Sequence, residues 1–159
     1  AQTPVTVVAA GAKAILDVAK TLEVLETQGV PVITVGQNSF PAFWSKTSSL
    51  KSPLRMDSAA QIASAHKTRA MMGLRGGQLI ANPIDAADEI PAEQLAPIIQ
   101  AAQAEADAQG VKGKEVTPFL LQRIFELTEG RSLTANIALV RNNARFAARI
   151  SAILAIKDT

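Results

Sequence analysis

Short β-branched runs alternate with an amphipathic stretch at the start of the chain. Residues 4–10 (PVTVVAA) predict a strand that ends at Gly11, and residues 31–35 (PVITV) predict a second, buried strand. The stretch between them predicts a helix that Gly29 closes. Its apolar side is formed by Ile15, Val18, Leu22 and Leu25. The order predicts a βαβ unit with a parallel pair of strands and a right-handed crossover.

A second helix and a third strand follow. Ser58 is typical of an N-cap and predicts a helix through about Met72. The apolar run QLIAN at 78–82 predicts a strand that Pro83 ends. Glycines precede this strand rather than joining a strand to a helix, so they do not match a dinucleotide-binding fingerprint or a P-loop.

The rest of the chain is helical in pattern. An alanine-rich helix is predicted from Pro91 to Gly110. Thr117 and Pro118 predict the N-cap and first residue of another helix, which Gly130 ends, and Ser132 predicts the cap of the last one. Three strands followed by helices indicate the α/β class, with helices layered on a sheet.

The segment between Gly36 and Asp57 is long for a loop, and a loop of this length usually has a function. It carries three aromatic residues and three cations: Phe40, Phe43, Trp44, Lys46, Lys51 and Arg55. The aromatic side chains could fold back onto the core. Alternatively, the hydroxyls and cations of the segment could line a site for an anionic ligand.

Composition narrows the function classes. The 159 residues are 48% hydrophobic and contain no Cys, which predicts a globular chain without thiol chemistry, zinc fingers or disulfides. A net charge of only +2 and 4% aromatic residues argue against a nucleic-acid partner. No apolar run has the roughly 18 residues that a spanning helix needs, so neither a membrane span nor a signal peptide is predicted.

Lys13 is the first candidate for chemistry. It lies in AAGAKA (9–14), just past the first predicted strand, among small residues and where a helix is predicted to begin. Open α/β sheets bind ligands at this edge. Desolvation and the positive end of a helix both favour the neutral, nucleophilic amine, which suits Schiff-base chemistry. A solvent-facing lysine at a helix start is the alternative interpretation.

The last helix places two amides within an apolar arc. At 100° per residue, this arc is centred near Asn136 and Asn143. Its members are Leu133, Ile137, Val140, Ala144, Ala147 and Leu154, and the opposite face carries Arg141, Arg145 and Arg149. A buried amide must find partners or cost about 1–3 kcal/mol. Asn143 is assigned to structural bonding with nearby backbone, although the paired donor and acceptor of an amide also match the edge of a nucleobase or another amide.

Metal-ligand and acid–base motifs are not found in the pattern. His66 has no carboxylate or second His at catalytic or metal-binding spacing, and we predict a structural role for it. The carboxylate-rich segment 85–93 lacks the periodicity of a metal-binding loop. The sequence therefore predicts no metal site built from this chain alone.

The motif AAGAKAILD (9–17) resembles the pseudouridine-5'-phosphate glycosidase family, also called the indigoidine synthase A-like family. The resemblance continues through essentially the whole chain. It includes TLEVLETQGVPVITVG, FPAF (40–43), RMDS (55–58), GGQLIANPI, ADAQGVKGKEVTPFLL and LTEGRSLTANIALVRNNA. Smaller departures are Ala9 where Cys is common and Trp44 where Tyr or Phe is usual.

The resemblance implies a hydrolase or lyase that cleaves the carbon–carbon glycosidic bond of pseudouridine 5'-phosphate, giving uracil and ribose 5-phosphate. Lys13 would be the nucleophile that forms an imine-type adduct with C1' of a ring-opened ribose. Asn136, in SLTANI, would contact the uracil ring. A C-ribosylating synthase of the same family, or a non-catalytic binding or assembly module, is the alternative.

Family members are about twice as long, so the resemblance implies that residues 1–159 are the C-terminal half of one domain. The fold would be a layered α/β/α arrangement with a mixed or mostly parallel sheet, incomplete without the N-terminal half. That half would hold the general acid, the manganese ligand and the phosphate-binding stretch. The chain alone is therefore expected to be inactive and to need the N-terminal half, either as a companion chain or as part of a full-length parent protein. Homotrimers of complete units in the cytoplasm are also implied.

Overall fold

A computed structural model describes residues 1–13 and 15–156. The strands and helices are, in chain order, β1 (Thr6–Ala9), α1 (Val18–Thr27), β2 (Val32–Val35), β3 (Leu54–Met56), α2 (Ala59–Met71), β4 (Gln78–Ala81), α3 (Ala92–Ala108), α4 (Val116–Leu127) and α5 (Arg131–Ala155). A 3₁₀ turn at Gly113–Glu115 leads into α4.

The strands form one sheet in the order β1-β4-β2-β3, and every pair is parallel. The layered α/β prediction with a mostly parallel sheet is therefore confirmed. The predicted pairing of the first two strands is wrong, because β4 lies between β1 and β2. The sequence also missed β3 within the 36–57 segment, since its three residues LRM form no apolar run.

Helices cover both faces of the sheet. On one face, Ile33 and Ile80 pack against Ile62 of α2 and Ile150 of α5. On the other face, Val32, Ala81 and the buried Phe40 pack against the apolar side of α1, formed by Val18, Leu22 and Leu25. Each face removes apolar side chains from water, which is the main stabilising term for a layered fold of this kind.

A third cluster joins α3, α4 and the first half of α5 to the end of β1. Its buried members include Ala10, Trp44, Ile84, Leu95, Ile124 and Leu139. Ala10 and Ile84 follow the carboxyl ends of β1 and β4, respectively. The helical part of the chain is thus anchored at the sheet edge where parallel α/β folds bind ligands.

The predicted start of α2 is confirmed, whereas the predicted starts of α4 and α5 are wrong. Helix α4 begins at Val116, because the 3₁₀ turn leads directly into it, so Thr117 is not its N-cap. Gly130, at φ +82°, is the N-cap of α5 rather than the end of α4. Ser132 consequently lies inside α5, where it is buried.

The N-cap of α2 gives a direct stability test. The Ser58 side chain accepts a hydrogen bond from the Gln61 N–H at 3.2 Å. We expect Ser58→Ala to lower the free energy of unfolding by about 1 kcal/mol, because one helix N–H loses its partner. Urea denaturation measures the change. Ser64→Ala, within the same helix, is the control and is expected to be neutral or slightly stabilising; equal losses would contradict the cap assignment.

Two consecutive glycines before β4 allow close backbone packing. A Cβ on Gly77 would lie 2.6 Å from the Val5 carbonyl oxygen and 3.0 Å from that of Thr3. A Cβ on Gly76 would collide with the carbonyl oxygen of Ala1. These glycines therefore make room for the segment that precedes β1, consistent with their lack of a phosphate-loop pattern.

Candidate active site

Lys13 lies in the connection between β1 and α1 and is half-buried. Its carbonyl oxygen accepts a hydrogen bond from the Leu16 N–H at 2.8 Å, which closes a turn. The prediction that a helix begins at this lysine is wrong, because α1 starts only at Val18. The neighbouring Ala14 is outside the described residues. Lys13 therefore does not lie at a helix terminus, but it does lie beyond the carboxyl end of β1.

Asp17 determines where α1 begins. Its side chain accepts the Lys20 N–H at 3.0 Å as an N-cap, and its other oxygen pairs with Lys20 Nζ at 3.3 Å. The backbone N–H of Lys20, followed by its ammonium group, lowers the pKa of Asp17. This contribution to stability is present above the unfolded-state pKa and is lost as pH falls through the lowered value. The Asp17 cap therefore fixes the point at which the connection from β1, which carries Lys13, ends and α1 begins.

The chain leading to Lys13 is held against the 36–57 segment. Gly11 has φ +95°, and a Cβ there would collide with the carbonyl oxygen of Pro41. The Phe43 N–H donates to the carbonyl oxygen of Ala10 at 2.9 Å. Only glycine fits this close approach, so Gly11 has a structural reason to be small.

The aromatic residues of the 36–57 segment fold back onto the core, as one of the two sequence interpretations predicted. Phe40 and Trp44 are 1% and 3% exposed. The indole Nε1 of Trp44 donates to the Ser132 carbonyl oxygen at 3.0 Å, which ties the segment to α5. Among the cations of this segment, Arg55 pairs with Asp57 at 2.7 Å, and Lys46 is exposed.

Asn136 lines an open groove of about 390 Å³ between α4, α5 and Trp44. Phe125 and Leu133 provide apolar walls, and Gln122 is a second amide in the lining. Aromatic walls with two amides suit a flat ring that carries hydrogen-bond donors and acceptors. Gln122 and Phe125 were not predicted from the sequence to line a groove, although their spacing of three on α4 places them on one helix face.

Lys13 does not line the groove that contains Asn136. It lies at the carboxyl edge of the sheet, and α5, the helix that carries Asn136, is bonded to that edge through Asn143. Lys13 follows the carboxyl end of β1. Asn82 follows the carboxyl end of β4, and its Nδ2 donates to Asn143 Oδ1 at 3.1 Å. Asn136 is about two turns from Asn143 along α5. Asn143 thus has a structural hydrogen bond, but its partner is another side-chain amide rather than the nearby backbone that was predicted.

The apolar arc predicted for the last helix exists but is not the buried face. Helix α5 buries Ser132, Ala135, Leu139 and Ile150. Leu133, Ile137 and Val140 are instead about half exposed, at 49%, 51% and 56%. The helix has two apolar faces, and the sheet and α2 cover the one that Phe146 and Ile150 share. Asn136 consequently lies at the margin of the buried face rather than in its middle.

Neither His66 nor the carboxylates form a catalytic or metal cluster in the described part of the chain. His66 Nδ1 lies 3.2 Å from Thr6 Oγ1, which also accepts from Gln78 Nε2 at 3.1 Å, in agreement with the predicted structural role. No group of three metal-ligating side chains occurs within residues 1–13 and 15–156. These described residues therefore offer no set of ligands for a metal ion. In the same residues, no helix is both long and apolar enough to cross a membrane.

Comparison with known proteins decides the family. The family model described as "Indigoidine synthase A like protein" matches residues 1–153. The chain belongs to this family. A curated relative named pseudouridine-5'-phosphate glycosidase, from Roseobacter denitrificans, is 75% identical over 97% of this chain and 50% of its own length. The protein of the same name from Paracoccus denitrificans is 65% identical over 98% of this chain and 51% of its own length.

Two solved structures share the fold of this chain. The prealnumycin C-glycosynthase in complex with ribulose 5-phosphate has a TM-score of 0.89 and 33% identity, covering 96% of this chain and 50% of that one. An indigoidine synthase A-like protein from Thermotoga maritima has a TM-score of 0.81 and 33% identity. The chain spans about half the length of the family members it matches.

Proposed function

We propose that this chain supplies Lys13 and Asn136 to a site that cleaves the carbon–carbon glycosidic bond of pseudouridine 5'-phosphate. The products are uracil and ribose 5-phosphate, and one water is consumed. The observation that carries the proposal is the 75% identity to a pseudouridine-5'-phosphate glycosidase over 97% of this chain. The position of Lys13 beyond the carboxyl end of β1 supports it.

In this proposal Lys13 acts as the nucleophile. Its neutral amine adds to C1' of the ring-opened ribose and forms a carbon–nitrogen bond. The bond from C1' to C5 of uracil then breaks as C5 is protonated, which leaves the sugar on Lys13 as an imine, and one water hydrolyses the imine to release ribose 5-phosphate. The connection that carries Lys13 is fixed at one end by the contact of Gly11 with Pro41 and at the other by the Asp17 cap. A lysine fixed in this way loses less freedom when it reaches the sugar carbon.

Asn136 is proposed to hold the uracil ring. An amide presents one acceptor and two donors, which complement the imide and carbonyl groups of uracil. The groove beside Asn136 is lined by Trp44 and Phe125 and has room for a flat ring. Binding of the base would therefore orient the bond to the sugar relative to Lys13.

The remaining groups are proposed to come from the half of the protein that this chain does not match. A nucleophile without a general acid or a phosphate site lacks most of the transition-state stabilisation that the reaction needs. We infer that the chain is the C-terminal half and that an N-terminal companion supplies the acid and binds manganese or another divalent metal. Homotrimers of complete units and a cytoplasmic location are part of the same proposal.

A C-ribosylating synthase is the second candidate. The solved structure of a C-glycosynthase with a TM-score of 0.89 favours it, because the same fold there belongs to an enzyme named for forming a glycosidic bond. Analysis of products separates the two candidates. Uracil released from pseudouridine 5'-phosphate supports the glycosidase, whereas ribosylation of a polyketide-like acceptor without uracil release supports the synthase.

The test uses a chimera in which the unmatched half of the Roseobacter denitrificans relative is joined to this chain in the order of that relative. We expect the chimera to release uracil from pseudouridine 5'-phosphate in the presence of manganese, and the 159-residue chain alone to release none. If the folded chimera turns over neither this substrate nor any acceptor and binds no sugar phosphate, the chain is a binding or assembly module instead.

Asn136→Ala tests the base-binding role in the same chimera. We expect kcat/KM for pseudouridine 5'-phosphate to fall by about 10- to 100-fold, since one or two hydrogen bonds to the base are lost. Asn143→Ala is the matched control. Because its amide bonds to Asn82, that variant should lower the melting temperature and leave kcat/KM within about twofold. Equal effects of the two variants on kcat/KM would contradict the assignment of Asn136.

A further inference from the structure

The outer edge of β1 has unpaired backbone groups. The carbonyl oxygens of Val5 and Ala9 accept from the N–H groups of Gln78 and Asn82, at 3.1 and 2.8 Å. Because alternate residues of a strand point their backbone groups to opposite sides, those of Thr6 and Val8 point away from β4. No strand of the described residues lies on that side, since β1 ends the sheet.

The apolar surface around β1 is also uncovered on the sheet face that carries α1. Val7 is paired in register with Leu79, which packs in the cluster beneath α1. Val7 itself is 51% exposed. The helix layer on this face therefore covers β4 and β2 and stops short of β1.

On the opposite face of the sheet, α5 packs against β1 and α2. Its far side carries an apolar row that we call the outer stripe: Leu133, Ile137, Val140, Ala144 and Ala148. Every member is exposed, although the spacing of three and four residues is typical of a packed helix face. Contiguous apolar surface of this kind on a soluble fold marks an interaction site.

A row of positive charge runs beside the outer stripe. Arg141, Arg145 and Arg149 are exposed and four residues apart on α5. Within residues 1–13 and 15–156, none of them has an ion pair or a side-chain hydrogen bond. Acidic side chains on a partner would form ion pairs with these arginines.

We propose that this surface, made of the free edge of β1, Val7 and the outer stripe, binds the other half of the protein. The partner would add a strand beside β1, a helix on each face and carboxylates near the arginine row, so that the three layers continue. Its identity rests on the proposed function and on relatives twice as long as this chain. A second copy fits less well, because it would bring two arginine rows of like charge along one joint.

Binding of the unmatched half of the Roseobacter denitrificans relative to this chain tests the proposal without substrate. Titration calorimetry and light scattering should give a one-to-one complex. We expect Ile137→Asp to raise the Kd by at least about tenfold. Val24→Asp on α1, which is 59% exposed, is the matched control and should change it by less than about twofold. Equal effects of the two variants would overturn the proposal, as would self-association of this chain that Ile137→Asp abolishes.

Amide hydrogen exchange of the joined chimera tests the same proposal if the separate half does not fold. In the joined chimera, the Thr6 and Val8 amides should exchange at least about tenfold more slowly than in this chain alone, because they enter a ladder. Unchanged exchange in a folded chimera would overturn the pairing. A chimera with protected amides and no turnover would leave the interface intact and count against the proposed chemistry only.

Discussion

Lys13→Ala in the joined chimera is expected to reduce kcat by at least about 10⁴-fold, because loss of a covalent nucleophile removes the step on which all later ones depend. The expected loss rests on the position of the lysine beyond the carboxyl end of β1. Uracil release under saturating substrate measures it. The melting temperature should remain within a few degrees, since the side chain is only half-buried.

Two further variants make this result specific. Lys13→Arg keeps the charge but cannot form an imine, so it should be as inactive as the alanine variant. Lys20→Ala removes a lysine that pairs with Asp17 on the surface, and it should keep kcat within about twofold. Activity in Lys13→Arg close to that of the parent would show that the residue serves only as a charge.

Trp44→Ala is expected to lower the free energy of unfolding of this chain by about 3–5 kcal/mol. The indole is 3% exposed and belongs to the cluster that joins α3, α4 and α5 to the end of β1. Its loss leaves a cavity and removes the hydrogen bond to Ser132. Urea denaturation followed by circular dichroism measures the change.

Trp44→Phe divides this loss into packing and hydrogen bonding. Phenylalanine keeps most of the apolar contact but cannot donate to the Ser132 carbonyl oxygen, so we expect a cost of about 1–2 kcal/mol. In the chimera, the alanine variant should also weaken substrate binding, because Trp44 lines the groove that contains Asn136. Losses of equal size in the two variants would mean that the hydrogen bond, rather than packing, holds the 36–57 segment.

Features set by short-range sequence were predictable. The N-cap of α2 follows from the Ser58 side chain and its own helix, and β2 follows from a continuous apolar run. The burial of Phe40 and Trp44 was one of two interpretations, and the choice required knowing what surrounds them. The motif around Lys13 was evident in the sequence. That Lys13 lies in a turn before α1, rather than at the start of the helix, was not.

Features set by long-range packing were not predictable. The order of the strands depends on which strands pair along their edges. The residues of 31–35 and 78–81 do not indicate that β4 lies between β1 and β2. Helix α5 has two apolar faces, and only the sheet and α2 select the one with Ile150. From the sequence, α1 could begin soon after Gly11 or after Asp17. The Asp17 side chain caps the helix, so α1 begins at Val18.

The most direct test of the account is to incubate the joined chimera with ribose 5-phosphate and manganese, reduce it with borohydride, and map the adduct by peptide mass spectrometry. We expect one reduced ribose-phosphate adduct on the peptide that contains Lys13, and none in the Lys13→Arg variant. An adduct on another lysine, or a protein that turns over pseudouridine 5'-phosphate without any trapped adduct, would contradict it.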